Sequence, residues 1–333
     1  MTTKDKMDHF KNVFNVHFEN EIKNILKEQR NFHPARTDLD EPLKDIVLRY
    51  TKGGKRIRPF LIYYFSGHDD ISKVLDICLA VELFHLAALI HDDIMDESEM
   101  RRGAQTLHIA TQQFAKENHH LGSDIALLLG DVFLTAAIAK AALLGPLLFE
   151  EFRLMIQRTI RGQYLDSFGM NQVLGETSEE EILARHELKT AWYTFCSPAR
   201  LGYMSSDNYS QDSLDVLTKI NCELGLLFQI RDDIIDCIDK DSGKELFGDI
   251  IENQTTWVTL YLKENYPDKF KEILSAKNSH NIALLGLLFK DIDLRTPYAI
   301  EFTKKKELIE NISDDYIAIK NKAKEVLDLL VLK

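Results

Sequence analysis

The strongest chemical signal in the sequence is a pair of aspartate clusters that share one spacing. The clusters are Asp92, Asp93 and Asp96, and Asp232, Asp233 and Asp236. In a helix, the first and third aspartate of each cluster lie one turn apart on one face, where their charges repel. Magnesium would offset that repulsion, because it takes one or two protein carboxylates and leaves positions for water and phosphate oxygens. A solvated acidic helix end explains a single cluster equally well. Because each of these two clusters follows an apolar run, we favour metal binding.

Basic residues accompany the clusters. Arg101 and Arg102 follow the first cluster, and residues 53–59 read GGKRIRP, with three cations before a proline. Lys189 and Thr190 lie on a predicted helix in the middle of the chain. Taken alone, GGKRIRP is typical of a basic surface turn, and Lys189 of a helix surface. Beside metal-binding carboxylates, however, Lys and Arg donors predict a diphosphate site.

The elements that must position these residues are predicted to be helices. Apolar residues recur at spacings of three and four over ranges 8–30, 39–50, 71–96, 121–144, 146–172, 178–205, 211–238 and 311–332. No alternating strands closed by a short turn are visible, and no Gly-, Ser- or Pro-rich linker divides the chain. We therefore expect the 333 residues to form one all-α domain.

One segment could be mistaken for a membrane span. Residues 125–149 are the most apolar part of the chain. Asp131 and Lys140 interrupt the segment, and Gly145 with Pro146 ends it. These interruptions favour a buried core helix over a span.

Charge and cysteine content limit the possible partners and location. The net charge of −12 argues against nucleic-acid binding, which depends on Lys and Arg neutralising phosphates. The cysteines, Cys78, Cys196, Cys222 and Cys237, form no CxxC pair, and the first residues show no apolar secretion signal. We expect free thiols in a reducing cytoplasm.

Taken in order, the motifs resemble those of the trans-isoprenyl diphosphate synthases. The motifs are GGKRIRP, VELFHLAALIHDDIMDESEMRRG, LLLGDVFLTAA, LKTA and FQIRDDIIDCIDKDSGKELFGDI. The resemblance covers about residues 40 to 260 by motif. It implies a single-domain orthogonal helical bundle around a central active-site cavity, and a homodimer.

The resemblance also implies a role for each matching residue. The two aspartate clusters would hold three magnesium ions on an allylic diphosphate, which Arg101 and Lys189 would also contact. The diphosphate of isopentenyl diphosphate would be bound by Lys55, Arg58, His85 and Arg102. Thr190 and Gln229 would face the developing allylic cation, and Lys244 would help to close the site.

The implied reaction needs no protein nucleophile. The allylic diphosphate leaves, the alkene of isopentenyl diphosphate attacks the carbocation, and a proton is lost to the departed diphosphate. Neutralisation by metals and cations favours ionisation, and an apolar cavity keeps water from the cation.

One position departs from the family pattern and keeps two alternatives open. Gln254 stands where these enzymes usually carry a lysine after the second cluster, so one positive charge is missing. A weakly active or non-catalytic subunit of a heteromeric synthase is therefore one alternative. A class I terpene cyclase is the other, although the intact second cluster and GGKRIRP argue against it.

Small side chains before the first cluster predict a long product. In the family that the sequence resembles, a bulky aromatic residue about one turn before the first aspartate stops the growing chain; here that residue is Ala87, followed by Ala88, although ordinary helix packing would also explain the two alanines. Phe84, another turn back, could form a deeper floor. We expect a product of twenty carbons or more, with at most transient membrane contact through that product.

Overall fold

Helices dominate the computed structural model, as the periodicity predicts. The model describes residues 2–32, 37–115, 118–169, 174–175, 177–238, 246–279 and 281–332. The longer helices are α1 (Thr3–Phe32), α2 (Asp40–Tyr50), α3 (Ile57–Ser66), α4 (Leu75–Met95), α5 (Leu107–Thr111), α6 (Leu121–Ala142), α7 (Pro146–Gly169), α8 (Glu179–Arg185), α9 (Ser197–Met204), α10 (Gln211–Ile238), α11 (Gly248–Ile251), α12 (Trp257–Asn265), α13 (Pro267–Asn278), α14 (Ile282–Leu288), α15 (Arg295–Glu310) and α16 (Ile317–Asp328). Single 3₁₀ turns occupy Thr37–Leu39, Ile71–Lys73, Gln112–Phe114, Phe289–Asp291 and Asp314–Tyr316. The all-α fold class is confirmed.

The chain divides into two compact units. The first unit comprises Met1–Phe152 and Leu201–Asp207, and the second comprises Arg153–Arg200 and Asn208–Lys333. The first aspartate cluster belongs to the first unit and the second cluster to the second unit.

In the first unit, α4 packs closely against α6 because small residues line the buried face of α6. Ala126, Ala137 and Ala141 are fully buried, and a Cβ atom on Gly130 would lie only 2.2 Å from Nε2 of His91. Such close packing leaves little freedom in the position of α4. The last turn of α4, which carries the first aspartate cluster, is thereby fixed.

The second unit is built on an equally close contact. A π-helical segment, His186–Cys196, lies directly against α10. A Cβ atom on Gly225 of α10 would be 2.5 Å from the Cα atom of Ala191, so only glycine permits this approach. The range 178–205, predicted as one regular helix, is therefore α8, this π segment and α9 in sequence. A π-helix often marks a functional site, and this segment carries Lys189 and Thr190.

A short ribbon was missed by the sequence analysis. Met100–Arg101 (β1) pairs antiparallel with Ala104–Gln105 (β2). The two turn residues, Arg102 and Gly103, both have positive φ values, 53° and 76°, as a type I′ turn requires. The signal was weak because an arginine rarely adopts this left-handed conformation. The ribbon folds both arginines of the RRG sequence back beside the end of α4.

The prediction about the cysteines needs correction. Cys196 and Cys222 form a disulfide, so the expectation of four free thiols is wrong, although Cys78 and Cys237 are free and buried. Packing of the π segment on α10 brings these two cysteines together across 26 positions of sequence.

The apolar helix α6 is buried less than a core helix would be. In its most apolar window 33% of the residues are buried, and by length and composition it could cross a membrane. Leu127 and Leu128 are 49% and 63% exposed. The prediction of a buried core helix therefore holds only for the face that packs on α4.

The contact between Gly225 and Ala191 makes a testable prediction about stability. Gly225→Ala should lower the free energy of unfolding by about 1–3 kcal/mol, because the added methyl group overlaps backbone atoms that cannot move away. Denaturant unfolding of the purified protein measures the change.

Gly286→Ala is a matched control for this variant. Gly286 lies in α14, and a Cβ atom there would meet nothing within 4 Å. A gain of up to about 1 kcal/mol is expected from the better helix propensity of alanine. Equal effects of the two substitutions would show that the contact between α10 and the π segment is not tight.

Candidate active site

The first aspartate cluster ends α4, and its three carboxylates have different surroundings. Asp93 is 1% exposed, and its Oδ2 accepts a hydrogen bond of 2.6 Å from the hydroxyl of Tyr50. Its Oδ1 accepts a second bond of 2.6 Å from Nε of Arg101. Asp92 and Asp96 lie on the half-buried face of the helix, one turn apart. Asp93 therefore serves as an anchor, while Asp92 and Asp96 are accessible to a ligand.

Electrostatics keep both hydrogen-bond donors to Asp93 protonated. Burial and the negative charge of Asp93 raise the pKa of Tyr50, so its phenol remains a hydrogen-bond donor. Burial alone would lower the pKa of Arg101, but the hydrogen bond and the charge of Asp93 raise it above its usual value. The Arg101 guanidinium also lies 3.5 Å from Oδ2 of Asp92. A permanent positive charge thus lies beside the accessible carboxylate.

The GGKRIRP segment supplies one structural arginine and one candidate ligand. Arg56 is buried, pairs with Glu82 at 2.6 Å and donates to Asn15 at 2.8 Å. It is therefore engaged within the core. Arg58, two residues after Arg56, lies 3.2 Å from Nε2 of His85 on α4.

His85 is held neutral by its surroundings. Burial lowers its pKa well below the usual value, and the charges of Arg58, Arg102, Arg101 and Arg56 add to the effect. Since the arginine can only donate, Nε2 of His85 accepts this bond and its Nδ1 carries the proton. Four guanidinium groups are thus near enough to influence one imidazole. Such a concentration of positive charge favours an anionic ligand.

A small cavity opens beside His85 and the surrounding arginines, which together are called the cationic group. Tyr50, His85, Leu89 and Arg102 all border it. Lys55 is exposed at the neighbouring turn. The structure therefore places Arg58 against His85, and Arg102 borders the same cavity as His85.

The second cluster repeats the arrangement of the first with different partners. Asp233 is 1% exposed and accepts hydrogen bonds from Nε2 of Gln229, at 2.6 Å, and from the backbone N–H of Trp257, at 3.1 Å. Burial raises its pKa to about 7, and the charge of Asp232 adds to this, against the effect of both hydrogen bonds. His186 lies 3.8 Å away, and burial lowers its pKa to about 3, so it is neutral.

The outer two aspartates of the second cluster differ in exposure. Asp232 is half-buried, whereas Asp236 is 7% exposed. Asp236 accepts a hydrogen bond from the backbone N–H of Asp249, at 3.3 Å, in the first turn of α11. The helix after the second cluster is therefore attached to the cluster itself.

Lys189 belongs to a buried ion cluster that the sequence analysis missed. Its ammonium group bonds to Oδ2 of Asp166 on α7, and Arg185 lies 3.4 Å from Oδ1 of the same carboxylate. The side chains of Asp166 and Arg185 are 4% and 5% exposed. In the sequence, the available signal for this cluster was Asp166 between apolar positions of α7. Its partners could not be identified before the position of the π segment was known.

The residues predicted to limit the length of the product all lie on α4. Between Ile77 and Ile90 of this fully described helix, only His85, Ala88 and Leu89 are not buried. Ala87 is 1% exposed, and the ring of Phe84 packs edge-to-face on Phe152 at 6.3 Å. Ala88 is therefore the alanine on the face that leads to Asp92.

Four further residues were singled out in the sequence. Thr190 and Gln229 are half-buried, on the π segment and α10 of the second unit. Gln254 donates from its backbone to Asp249 and lies in the turn before α12. Lys244 lies outside the described residues.

The donor set fits magnesium better than a metal with a complete protein cage. Among the described residues, no group of three or more His, Cys, Asp or Glu side chains is assembled as a metal site. Pairs of carboxylates one turn apart leave most coordination positions for water and phosphate oxygens, which is the usual pattern for magnesium.

Comparison with known proteins agrees with this chemistry. The family model of polyprenyl synthetases matches residues 40–289. A geranylgeranyl diphosphate synthase of Saccharolobus solfataricus is 28% identical, covering 98% of this chain and 96% of the relative. A farnesyl diphosphate synthase of Buchnera aphidicola is 32% identical, covering 74% and 88%.

A solved structure extends the similarity to the fold. The geranylgeranyl pyrophosphate synthase of Corynebacterium glutamicum, complexed with isoprenyl diphosphate and magnesium, is 25% identical. It superimposes with a TM-score of 0.74, covering 95% of this chain and 98% of that one. The chain therefore belongs to the polyprenyl synthetase family and is a prenyltransferase.

Proposed function

We propose that the protein condenses isopentenyl diphosphate with an allylic diphosphate, head to tail, to give a trans-polyprenyl diphosphate. One observation carries the proposal. In each cluster the middle aspartate is buried and hydrogen-bonded, while the first aspartate is half-buried. Each cluster is thus suited to holding a metal ion against a diphosphate.

The allylic diphosphate is bound by charge. Asp92 and Asp96 of the first cluster, with Asp232 and Asp236 of the second, would hold three magnesium ions. Asp93 and Asp233 would orient the two clusters. Bound magnesium neutralises the leaving diphosphate. Arg101 and Lys189 add fixed positive charge, which favours the diphosphate as a leaving group over its return to the carbocation.

Isopentenyl diphosphate would bind at the cationic group of the first unit. Arg58 and Arg102 offer guanidinium groups, which match phosphate oxygens in pairs. Neutral His85 can donate from Nδ1 once Nε2 has accepted from Arg58. Lys55, which is exposed in the same GGKRIRP segment as Arg58, would add a further positive charge.

Carbon–carbon bond formation then needs a stabilised cation and a proton acceptor. Gln229 donates its amide N–H to Asp233, which directs its carbonyl oxygen elsewhere and makes it a candidate to face the allylic cation. The hydroxyl of Thr190 is the second candidate. The alkene attacks the cation, and the departed diphosphate takes the proton, so no side-chain base is required. Lys244 would help to close the site.

We further propose a homodimer located in the cytoplasm. The outward face of α6 carries exposed Leu127 and Leu128, and Leu143, just beyond the helix, is 86% exposed. A second copy of the chain would cover this apolar surface. Sedimentation at a mass near 38.4 kDa, one chain, would contradict the dimer.

The activity is tested by direct assay. Purified protein with magnesium, labelled isopentenyl diphosphate and dimethylallyl, geranyl or farnesyl diphosphate should yield prenyl diphosphates, with a longest product of twenty carbons or more. Asp92→Asn should lower kcat by at least about a hundredfold, because one metal ligand is lost. Asp69→Asn, an exposed aspartate away from the cluster, is the matched control.

Two outcomes of this assay would point elsewhere. Metal-dependent formation of a hydrocarbon without incorporation of isopentenyl diphosphate would assign a cyclase. No turnover with any starter would indicate that the chain needs a partner subunit.

The accessible face of α4 predicts where product length is determined. Ala88→Phe should shorten the longest product by at least one isoprene unit, because the ring would project into the path that leads away from Asp92. Ala87→Phe should mainly destabilise the fold, since Ala87 is 1% exposed. Chromatography of the dephosphorylated products, with thermal unfolding of both variants, separates the two effects. Unchanged products from Ala88→Phe would exclude this face as the path of the chain.

A further inference from the structure

Arg56, the middle cation of the GGKRIRP segment, is held from three directions. Its Nε donates to Asn15 of α1 at 2.8 Å, its Nη1 to Glu82 of α4 at 2.6 Å, and its Nη2 to the backbone carbonyl of Thr51, just after α2, at 2.7 Å. The guanidinium also lies over the ring of Phe18 on α1, 4.7 Å from its centre. One side chain therefore ties the segment between α2 and α3 to two other helices.

The backbone of Arg56 is as constrained as its side chain. Its φ of 55° lies in the left-handed region, which a residue with a side chain rarely adopts. Its carbonyl accepts the first hydrogen bond of α3, from the N–H of Phe60 at 3.1 Å. A Cβ atom on Gly54 would lie only 2.6 Å from Nη1 of Arg56, so glycine makes room for the guanidinium. The bonds of the side chain thus hold a turn whose backbone conformation is unfavourable by itself.

The turn at Arg56 gives the neighbouring cations different surroundings. Lys55 is exposed, whereas Arg58 is half-buried and lies 3.2 Å from Nε2 of His85. Glu82, which holds Arg56, precedes His85 by three residues on α4, and residues at that spacing share one face of a helix. The pair of Arg56 and Glu82 therefore fastens the GGKRIRP segment to the face of α4 that carries His85.

The carboxylate of Glu82 also acts on Arg102. Burial lowers the pKa of Arg102, the negative charge of Glu82 opposes this effect, and the charges of two other arginines add to it. Glu82 and Arg102 both border the cavity beside His85. A buried carboxylate thus lies among arginines whose like charges repel one another.

We propose that Arg56 is a positioning residue for isopentenyl diphosphate. Its side chain is 7% exposed, and all three guanidinium nitrogens donate within the protein, so it serves the site by holding the turn. From this turn Lys55 and Arg58 reach the ligand, and Glu82 keeps the guanidinium of Arg56 in place. Without Arg56, both cations would remain in the chain, but not at fixed positions relative to His85. This inference rests on the proposed function, because it names the ligand of the cationic group.

The test compares affinity for isopentenyl diphosphate with folding stability. Titration calorimetry without allylic diphosphate and without magnesium measures binding alone, because no reaction follows and the aspartate clusters have no metal ion to hold a diphosphate. Arg56→Met should weaken this binding at least about tenfold and raise KM for isopentenyl diphosphate, with little change in KM for the allylic substrate. Arg49→Met, which changes an exposed arginine on α2, is the matched control and should bind like the wild type.

A double variant separates positioning from stability. Arg56→Met alone leaves the buried carboxylate of Glu82 without the hydrogen bond of Arg56, which destabilises the fold, whereas adding Glu82→Leu gives an apolar pair that a protein interior tolerates. The double variant should therefore recover thermal stability without recovering affinity, since the bonds to Asn15 and Thr51 are still missing. A merely structural role predicts that affinity returns together with stability.

The outcomes separate this inference from the proposed function. Wild-type affinity in a stable double variant would overturn the positioning role even if the enzyme makes prenyl products. The expected losses of affinity in a protein that transfers no prenyl group would keep the positioning role and reject the proposed reaction. If neither variant folds, Asn15→Ala decides, because it removes one of the three bonds at a half-buried residue. About threefold weaker binding is then expected, and unchanged affinity would overturn the proposal.

Discussion

A carboxylate stays ionised in a protein interior only if hydrogen bonds and opposite charges replace the water it loses. That constraint organises both halves of this molecule. Asp93 and Asp233 are each 1% exposed, and each accepts two hydrogen bonds, at least one of them from another element of the fold. Because those donors fix the ends of α4 and α10, the positions of the neighbouring aspartates are fixed with them.

The two anchors are built from different groups and have different electrostatic consequences. Asp93 is paired with the permanent charge of Arg101 and with Tyr50. Asp233 accepts hydrogen bonds from an amide and a backbone N–H and lies 3.8 Å from a neutral imidazole. Burial raises the pKa of Asp233 to about 7. The two anchors therefore place different electrostatic surroundings beside their neighbouring aspartates.

A structural feature can be predicted from the sequence when it depends on residues that are close together in the chain. The helices, the aspartate pairs and the basic GGKRIRP segment are local patterns that are visible in the sequence. Helical periodicity predicts the helices. The separation of Arg56 from Arg58 is not local, because burial of Arg56 depends on Glu82 and Asn15 from other helices. The same holds for the Cys196–Cys222 disulfide, the π segment and the cluster of Asp166, Arg185 and Lys189, which all require helices to be packed first. The ribbon at Arg102 was missed for another reason, since its turn uses an arginine where Asn or Gly is usual.

If the outer aspartates bind metal and the middle aspartates anchor them, manganese binding should distinguish the two positions. Electron paramagnetic resonance would follow manganese, in place of magnesium, in the presence of inorganic diphosphate. Asp92→Asn should weaken manganese binding at least about tenfold. Asp93→Asn, which can still accept hydrogen bonds, should weaken it much less. Equal losses in two folded variants, or a larger loss in Asp93→Asn, would contradict the division of roles.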